Sequence, residues 1–167
     1  MAERSTPSRP EAADPLLHVV LVAPEIPPNT GTIARLCAAT RIRLHLVRPL
    51  GFSLDDRYLK RAGLDYWPYV DVVVHDDWAA FEALHPSARA HFFSARASRP
   101  YTAVAYAAGD VLVFGSETKG LPADLLRRHG NDTYVIPIFS PDVRSLNLSN
   151  AVSVVVYEAL RQLGRLG

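Results

Sequence analysis

Short apolar runs separated by turn-forming and charged stretches recur along the chain. Residues 16–23 form one such run, bounded by prolines, and predict a buried strand. Residues 24–28, Pro-Glu-Ile-Pro-Pro, read as a rigid turn. Asn29 or Thr30 can cap a helix running to about Thr40, with Ile33, Leu36 and Cys37 on its buried face. Residues 42–47 alternate and predict a second strand, 54–62 a short helix, and 70–75 a third strand. Asp76 or Asp77 then caps a helix through Leu84. Residues 91–95, 110–114 and 133–138 read as three further strands. Strands alternate with helices, and several strands are apolar throughout. That pattern predicts an α/β fold with a mainly parallel sheet and helices on both faces.

The last predicted helix, 149–163, has almost no polar face. Val152, Val155, Val156, Ala159, Leu160 and Leu163 follow the i, i+3, i+4 stripe, Ala151 and Val154 widen it, and Gly164 is placed to end it. Such a helix must be covered on more than one side, either by its own fold or by a second subunit; the pattern favours neither. Ser145, Asn147, Ser149 and Asn150 crowd its start. A cap needs one such residue. Four of them beside the free N–H groups of a helix start suit a polar ligand.

The 167 residues suffice for one domain with a sizeable core, placed at residues 16–167. Residues 1–15, rich in Ala, Pro, Ser, Glu and Arg, read as a disordered tail. No signal-peptide pattern and no membrane-length apolar run occurs, so a cytoplasmic location and no membrane partner are expected. Cys37 is the only cysteine, which excludes an intrachain disulfide and fits a reducing compartment. The net charge of +1 neither demands nor excludes a nucleic-acid partner, because a basic face can hide in a balanced total. The six histidines are scattered without ligand spacing, so no metal is expected.

Ligands of open α/β sheets sit beyond the carboxyl ends of the strands, and three polar loops here follow predicted strands: 24–32, 115–122 and 140–150. In the second, Gly115 and Gly120 are separated by four residues, but Leu121 stands where a phosphate-binding loop requires lysine. No Gly-x-Gly fingerprint occurs. What remains is a glycine-hinged loop whose backbone can approach a ligand closely, or a plain turn. The first loop leads into Asn29, Gly31 and Arg35, the last lying inside the predicted helix. Arg57, Lys60 and Arg61 make a basic helical face that is either solvated or set against a phosphate backbone. Tyr58, Tyr66, Trp67 and Tyr69 lie near it and either stack on bases or pack in the core.

Three segments taken together resemble the three motifs of the SPOUT RNA 2′-O-methyltransferases: 24–37 (PEIPPNTGTIARLC), 114–122 (FGSETKGLP) and 144–152 (RSLNLSNAV). The likeness extends through 49–56 and 61–66, and is strongest to the small TrmL (YibK) group of tRNA (cytidine/uridine-2′-O)-methyltransferases. Ser116 and Lys119 depart from residues common in that family. The resemblance implies a C-terminal trefoil knot, a homodimer packing the last helix and first motif across subunits, and S-adenosylmethionine as cofactor. It places cofactor contacts at Phe93, Gly115, Ile136 and Ser145, and catalytic roles at Arg35, Asn147 and Ser145. Arg35 holds its proton too tightly for a base; holding phosphate and offsetting alkoxide charge is the easier role. Asn29, Arg35, Arg57 and Arg61 are expected to meet the RNA. The implied substrate is the wobble ribose in the anticodon stem-loop of a leucine tRNA. A methyltransferase for another RNA and a non-catalytic RNA-binding dimer are the rival functions.

Overall fold

In the computed structural model, which describes residues 14–61 and 67–167, six strands form one sheet in the order β3-β2-β1-β5-β4-β6. They are β1 (His18–Val22), β2 (Arg43–Val47), β3 (Val72–His75), β4 (Ala90–Phe93), β5 (Val111–Phe114) and β6 (Thr133–Tyr134), and every pairing is parallel. The helices are α1 (Pro27–Thr40), α2 (Asp56–Arg61), α3 (Trp78–Leu84), α4 (Ala123–Arg128) and α5 (Leu148–Gln162). Strand β1 sits between β2 and β5, so the connections diverge from the middle of the sheet there. Loops leaving neighbouring strand ends at such a switch point open a crevice.

Both faces of the sheet are covered, as the apolar strands require. Val19 and Leu21 of β1, Leu44, Leu46, Leu112 and Phe114 pack with Ile33 and Cys37 of α1 and with the apolar stripe of α5. On the other face Val20, Val22, Val47, Phe92, Val111 and Val113 pack with Phe81 of α3 and Leu121. Burying each such side chain contributes about 1.5–3 kcal/mol, an upper figure for a denatured chain that is itself partly compact.

The α5 stripe is consumed by the chain's own core. Val152, Val155, Val156 and Ala159 are fully buried and Leu160 nearly so. Covering by its own fold therefore accounts for this stripe. What α5 leaves outward is a different face, with Tyr157 47% exposed and Val154 half-buried. At its end Gly164 has φ 68°, and the Arg165 N–H donates to Leu160 O.

Several expected boundaries shift. Helix α1 starts at Pro27, ahead of Asn29: the two prolines preset the first turn and Ile26 stands at the cap without a side-chain bond. Asp77, not Asp76, caps α3, accepting from the Ala80 N–H at 2.7 Å. Strand β4 ends at Phe93 rather than Ala95. Strand β6 stops at Tyr134 rather than reaching Ile138. Val135 is diverted to Arg99 and Tyr101, donating to Arg99 O and accepting from the Tyr101 N–H, and Pro137 has no N–H to extend a ladder. Helix α4, which was not expected, is too short to show a period. Of the expected basic helix, Arg57 and Arg61 are exposed on α2; the Lys60 side chain and Tyr66 lie outside the described residues.

Candidate active site

The three polar loops converge at the carboxyl end of the sheet. The chain leaves β5 through Gly115, which lies so close to the returning Gly120 and Leu121 backbone that an added Cβ would stand 2.2 Å from Gly120 C and Leu121 N. Only a residue without a side chain allows that approach. The loop therefore doubles back, with Ser116 N–H donating to Gly120 O at 3.3 Å and Gly120 N–H to Ser116 O at 3.0 Å. This fold-back presents Glu117 towards the first loop.

Glu117 performs the capping that α1 lacks from its own sequence. Its Oε2 accepts from the Glu25 N–H at 2.8 Å, and Oε1 from the Ile26 N–H at 2.9 Å and Asn29 Nδ2 at 3.4 Å. A carboxylate at a helix N-terminus is favoured by the helix dipole, and here it also satisfies the N–H groups of the two residues that lead into the helix. Thr118 Oγ1 donates to the Glu25 carboxylate. Gly51, whose added Cβ would stand 2.5 Å from Glu25 O, lets residues 49–52 buttress the same loop.

From Asn29 the network passes to the third loop. Asn147 Nδ2 donates to Asn29 Oδ1 at 3.0 Å, while Asn147 Oδ1 accepts from the Ser149 N–H at 2.9 Å and from Ser149 Oγ at 2.6 Å. Asn147 is thus the N-cap of α5 and also the link to α1. The polar crowd at this helix start divides accordingly: Asn147 and Ser149 form the cap, and Ser145 faces a cleft.

That cleft has a volume of about 730 Å³, within the range of small-molecule sites. Phe93 and Phe114, stacked with ring centroids 4.9 Å apart, line it with Gly115, Ile136 and Ser145. Among the described residues, no backbone–backbone hydrogen bond involves residues 136–146; the local bond there runs from the Asp142 N–H to Ser140 Oγ. A stretch of uncommitted N–H and C=O groups beside an aromatic wall can hold a ligand that is part ring and part polar chain.

All four residues assigned to the cofactor, Phe93, Gly115, Ile136 and Ser145, line this cleft together with Asn29 and Asn147. Arg35, Arg57 and Arg61 do not line it. Arg35 is exposed on α1, and Arg57 and Arg61 on α2. Arg96 and Arg144 do line it, and sequence reasoning had singled out neither. Arg144 lies within a recognised motif; Arg96, on the loop after β4, carries no local signal. Burial pushes the Cys37 thiol up to about 12, so it is no nucleophile at neutral pH.

A parallel sheet with a small-molecule cleft, built by three cross-linked loops at the strand ends, defines a ligand-binding α/β domain. The chain belongs to the SpoU rRNA methylase family, which it matches over residues 16–157. It is 55% identical over 151 residues to the tRNA (cytidine(34)-2′-O)-methyltransferase of Burkholderia cenocepacia, covering 89% of this chain and 97% of that one. A solved structure bearing on the 2-OH methylation of C/U34 on tRNA superposes with a TM-score of 0.83 at 52% identity, covering 91% of this chain and 99% of that one. The AdoMet-bound SpoU methyltransferase AviRb of Streptomyces viridochromogenes shares the fold (TM-score 0.76, 22% identity, 91% of this chain and 59% of that one).

Proposed function

We propose that this chain is an S-adenosylmethionine-dependent tRNA methyltransferase acting on the ribose 2′-oxygen of the wobble nucleotide, cytidine or uridine. The observation that carries the reading is the convergence of the three motif loops on one cofactor-sized cleft, in a chain with the relatives described above. The cleft suits the cofactor: Phe93 and Phe114 offer an apolar surface for a purine, and the backbone of 136–146 offers hydrogen-bonding groups for polar parts. When bound, S-adenosylmethionine supplies a sulfonium methyl, electrophilic enough to be taken by an oxygen.

The chain's own residues prepare that oxygen. Gly115, Ile136 and Ser145 bind the cofactor. Asn147, with its oxygen committed to the α5 cap and its amide shared with Asn29, holds the third loop in register with the first, and Glu117 holds the second. Arg35 clamps the phosphate beside the reacting ribose and offsets charge growing on the 2′-oxygen. The hydroxyl proton passes to an RNA phosphate or to water. Since Arg35 lies outside the cleft of its own chain, it serves the cleft of a second copy, and the working unit is a homodimer. The outward α5 face around Val154 and Tyr157 supplies part of that contact.

The anticodon stem-loop offers unpaired bases for aromatic side chains and stem phosphates for the Arg57 and Arg61 face. The substrate is a leucine tRNA and the enzyme acts in the cytoplasm; no helix among the described residues is long and apolar enough to cross a membrane. The test is transfer of a labelled methyl group to total tRNA, followed by mapping of the product. A methyl mapped to the ribose of nucleotide 34 is expected; one mapped to a base, a D-loop ribose or ribosomal RNA overturns the reading.

A further inference from the structure

Histidines that are scattered along the sequence are gathered in space. His18 on β1, His45 on β2, His75 at the end of β3 and His85 just past α3 meet on the sheet face that α3 covers, and none lines the cleft. Nδ1 of His18 lies 2.8 Å from Nε2 of His45, and Nδ1 of His45 lies 2.9 Å from Nε2 of His75. His85 closes the group from the helix end, its ring centroid 5.2 Å from that of His45 and stacked on Phe81 at 4.7 Å. One ring nitrogen each from His45, His75 and His85 falls within 4.8 Å of the other two.

A self-satisfying chain of imidazoles explains His18, His45 and His75. It does not explain His85, whose side chain makes no hydrogen bond among the described residues yet turns a ring nitrogen towards the buried pair. We infer that His45, His75 and His85 form a binding site for a divalent transition-metal ion of the zinc, cobalt and nickel class, with His18 as the outer partner that orients His45. Imidazole nitrogens suit this class of ion, and three of them leave a fourth position for water.

The geometry lies near what coordination needs. Nitrogens around a tetrahedral ion at about 2.0–2.1 Å stand roughly 3.3–3.4 Å apart. The 2.9 Å pair must therefore open slightly and His85, at the end of its helix, must swing inward. Protons balance without release. Each neutral ring carries one N–H: His45 keeps its proton on Nε2, donated to His18 Nδ1, while the His75 proton, which on Nε2 makes the 2.9 Å bond to His45 Nδ1, moves to Nδ1 of the same ring and frees both ligand nitrogens. For His45 this matches the usual arrangement in metal sites, in which an outer partner, here His18, holds the second ring nitrogen of a ligating histidine. Arg43, on β2 two residues before His45, is paired with Asp71 at 2.7 Å. Binding would tie β2, β3 and the end of α3 together.

The experiment uses the full chain, freed of any affinity tag and treated with chelator, titrated with zinc sulfate by calorimetry and with cobalt chloride by visible absorption. One ion per chain, tetrahedral cobalt bands and a zinc-dependent rise in melting temperature are expected. His85→Ala, at a half-buried position, should abolish all three, and His18→Ala should weaken binding roughly 10–100-fold. Should His85→Ala fold poorly, nitrogen-15 spectra of the histidine rings in the unsubstituted protein decide instead: zinc must shift His45, His75 and His85. No binding at 100-fold excess zinc, binding undiminished in folded His85→Ala, or shifts confined to other histidines would each overturn the inference.

Discussion

Replacing Gly115 with alanine tests the central claim about the site, that its second loop exists only because the backbone doubles back on itself. The new Cβ would stand 2.2 Å from two backbone atoms and 2.5 Å from Gly120 O, none at the end of a flexible side chain. The fold-back must open, which strains the paired Ser116–Gly120 hydrogen bonds and moves Glu117 off the start of α1. Overpacking of this kind costs about 1–3 kcal/mol, and the exposed-side hydrogen bonds add about 0.5–1.5 kcal/mol each if lost. Allowing for partial relaxation, roughly 2–4 kcal/mol is expected, or a fall in melting temperature of about 4–16 °C for a chain of this size. The same displacement distorts the cleft wall at Gly115, so S-adenosylmethionine should bind at least tenfold more weakly in the folded fraction. The obstruction lies between the two arms of the same loop, at the Gly120 and Leu121 backbone. Thermal unfolding and calorimetry check this together. A Gly115→Ala variant with unchanged melting temperature and unchanged cofactor affinity would refute the reasoning.

Arg35→Ala should cut methyl transfer at least a hundredfold while cofactor affinity stays within about twofold, and Arg35→Lys should recover little of it because the planar fork is lost; near-parental turnover removes Arg35 from the mechanism. Two α5 variants separate core from interface: Val155→Glu should fail to fold, since it places a charge in a fully buried position, whereas Tyr157→Glu should stay folded and shift light-scattering mass towards monomer; a folded, dimeric Tyr157→Glu refutes that face as the contact. In chelator, stability should decline in acid. Burial lowers His18 to about 4 and His45 to about 2, below the unfolded value near 6.5. Their contribution is thus full above pH 6.5 and is lost as pH falls towards those values, by up to about 1.4 kcal/mol per pH unit for the fully buried His45 and by less for His18, which solvent partly screens; denaturant midpoints that do not move between pH 7 and 5 contradict it. Arg57→Glu with Arg61→Glu should weaken tRNA binding and flatten its salt dependence, while deletion of residues 1–13 should leave activity within about twofold; gel-shift and transfer assays read both.

Local pattern was enough for the architecture. Apolar runs with no polar alternation demand a sheet covered on both faces, and β1 shows why: Val19 and Leu21 meet α1 and α5 while Val20 and Val22 meet the α3 side. The stripe of α5 was legible for the same reason, as a local period, and the three loops were legible as polar breaks after strands. Tertiary structure alone decided what those loops do. Glu117 caps a helix that begins some ninety positions earlier in the chain, and Asn147 reaches Asn29 across a still longer separation. It also decided that β6 stops at Tyr134, because Val135 finds partners at Arg99 and Tyr101, and that histidines on β1, β2, β3 and past α3 form one group. Periodicity records which face a residue shows over a few turns or strand positions. Which strands become neighbours follows from packing across the whole sheet, so contacts between distant segments leave no local trace in the chain.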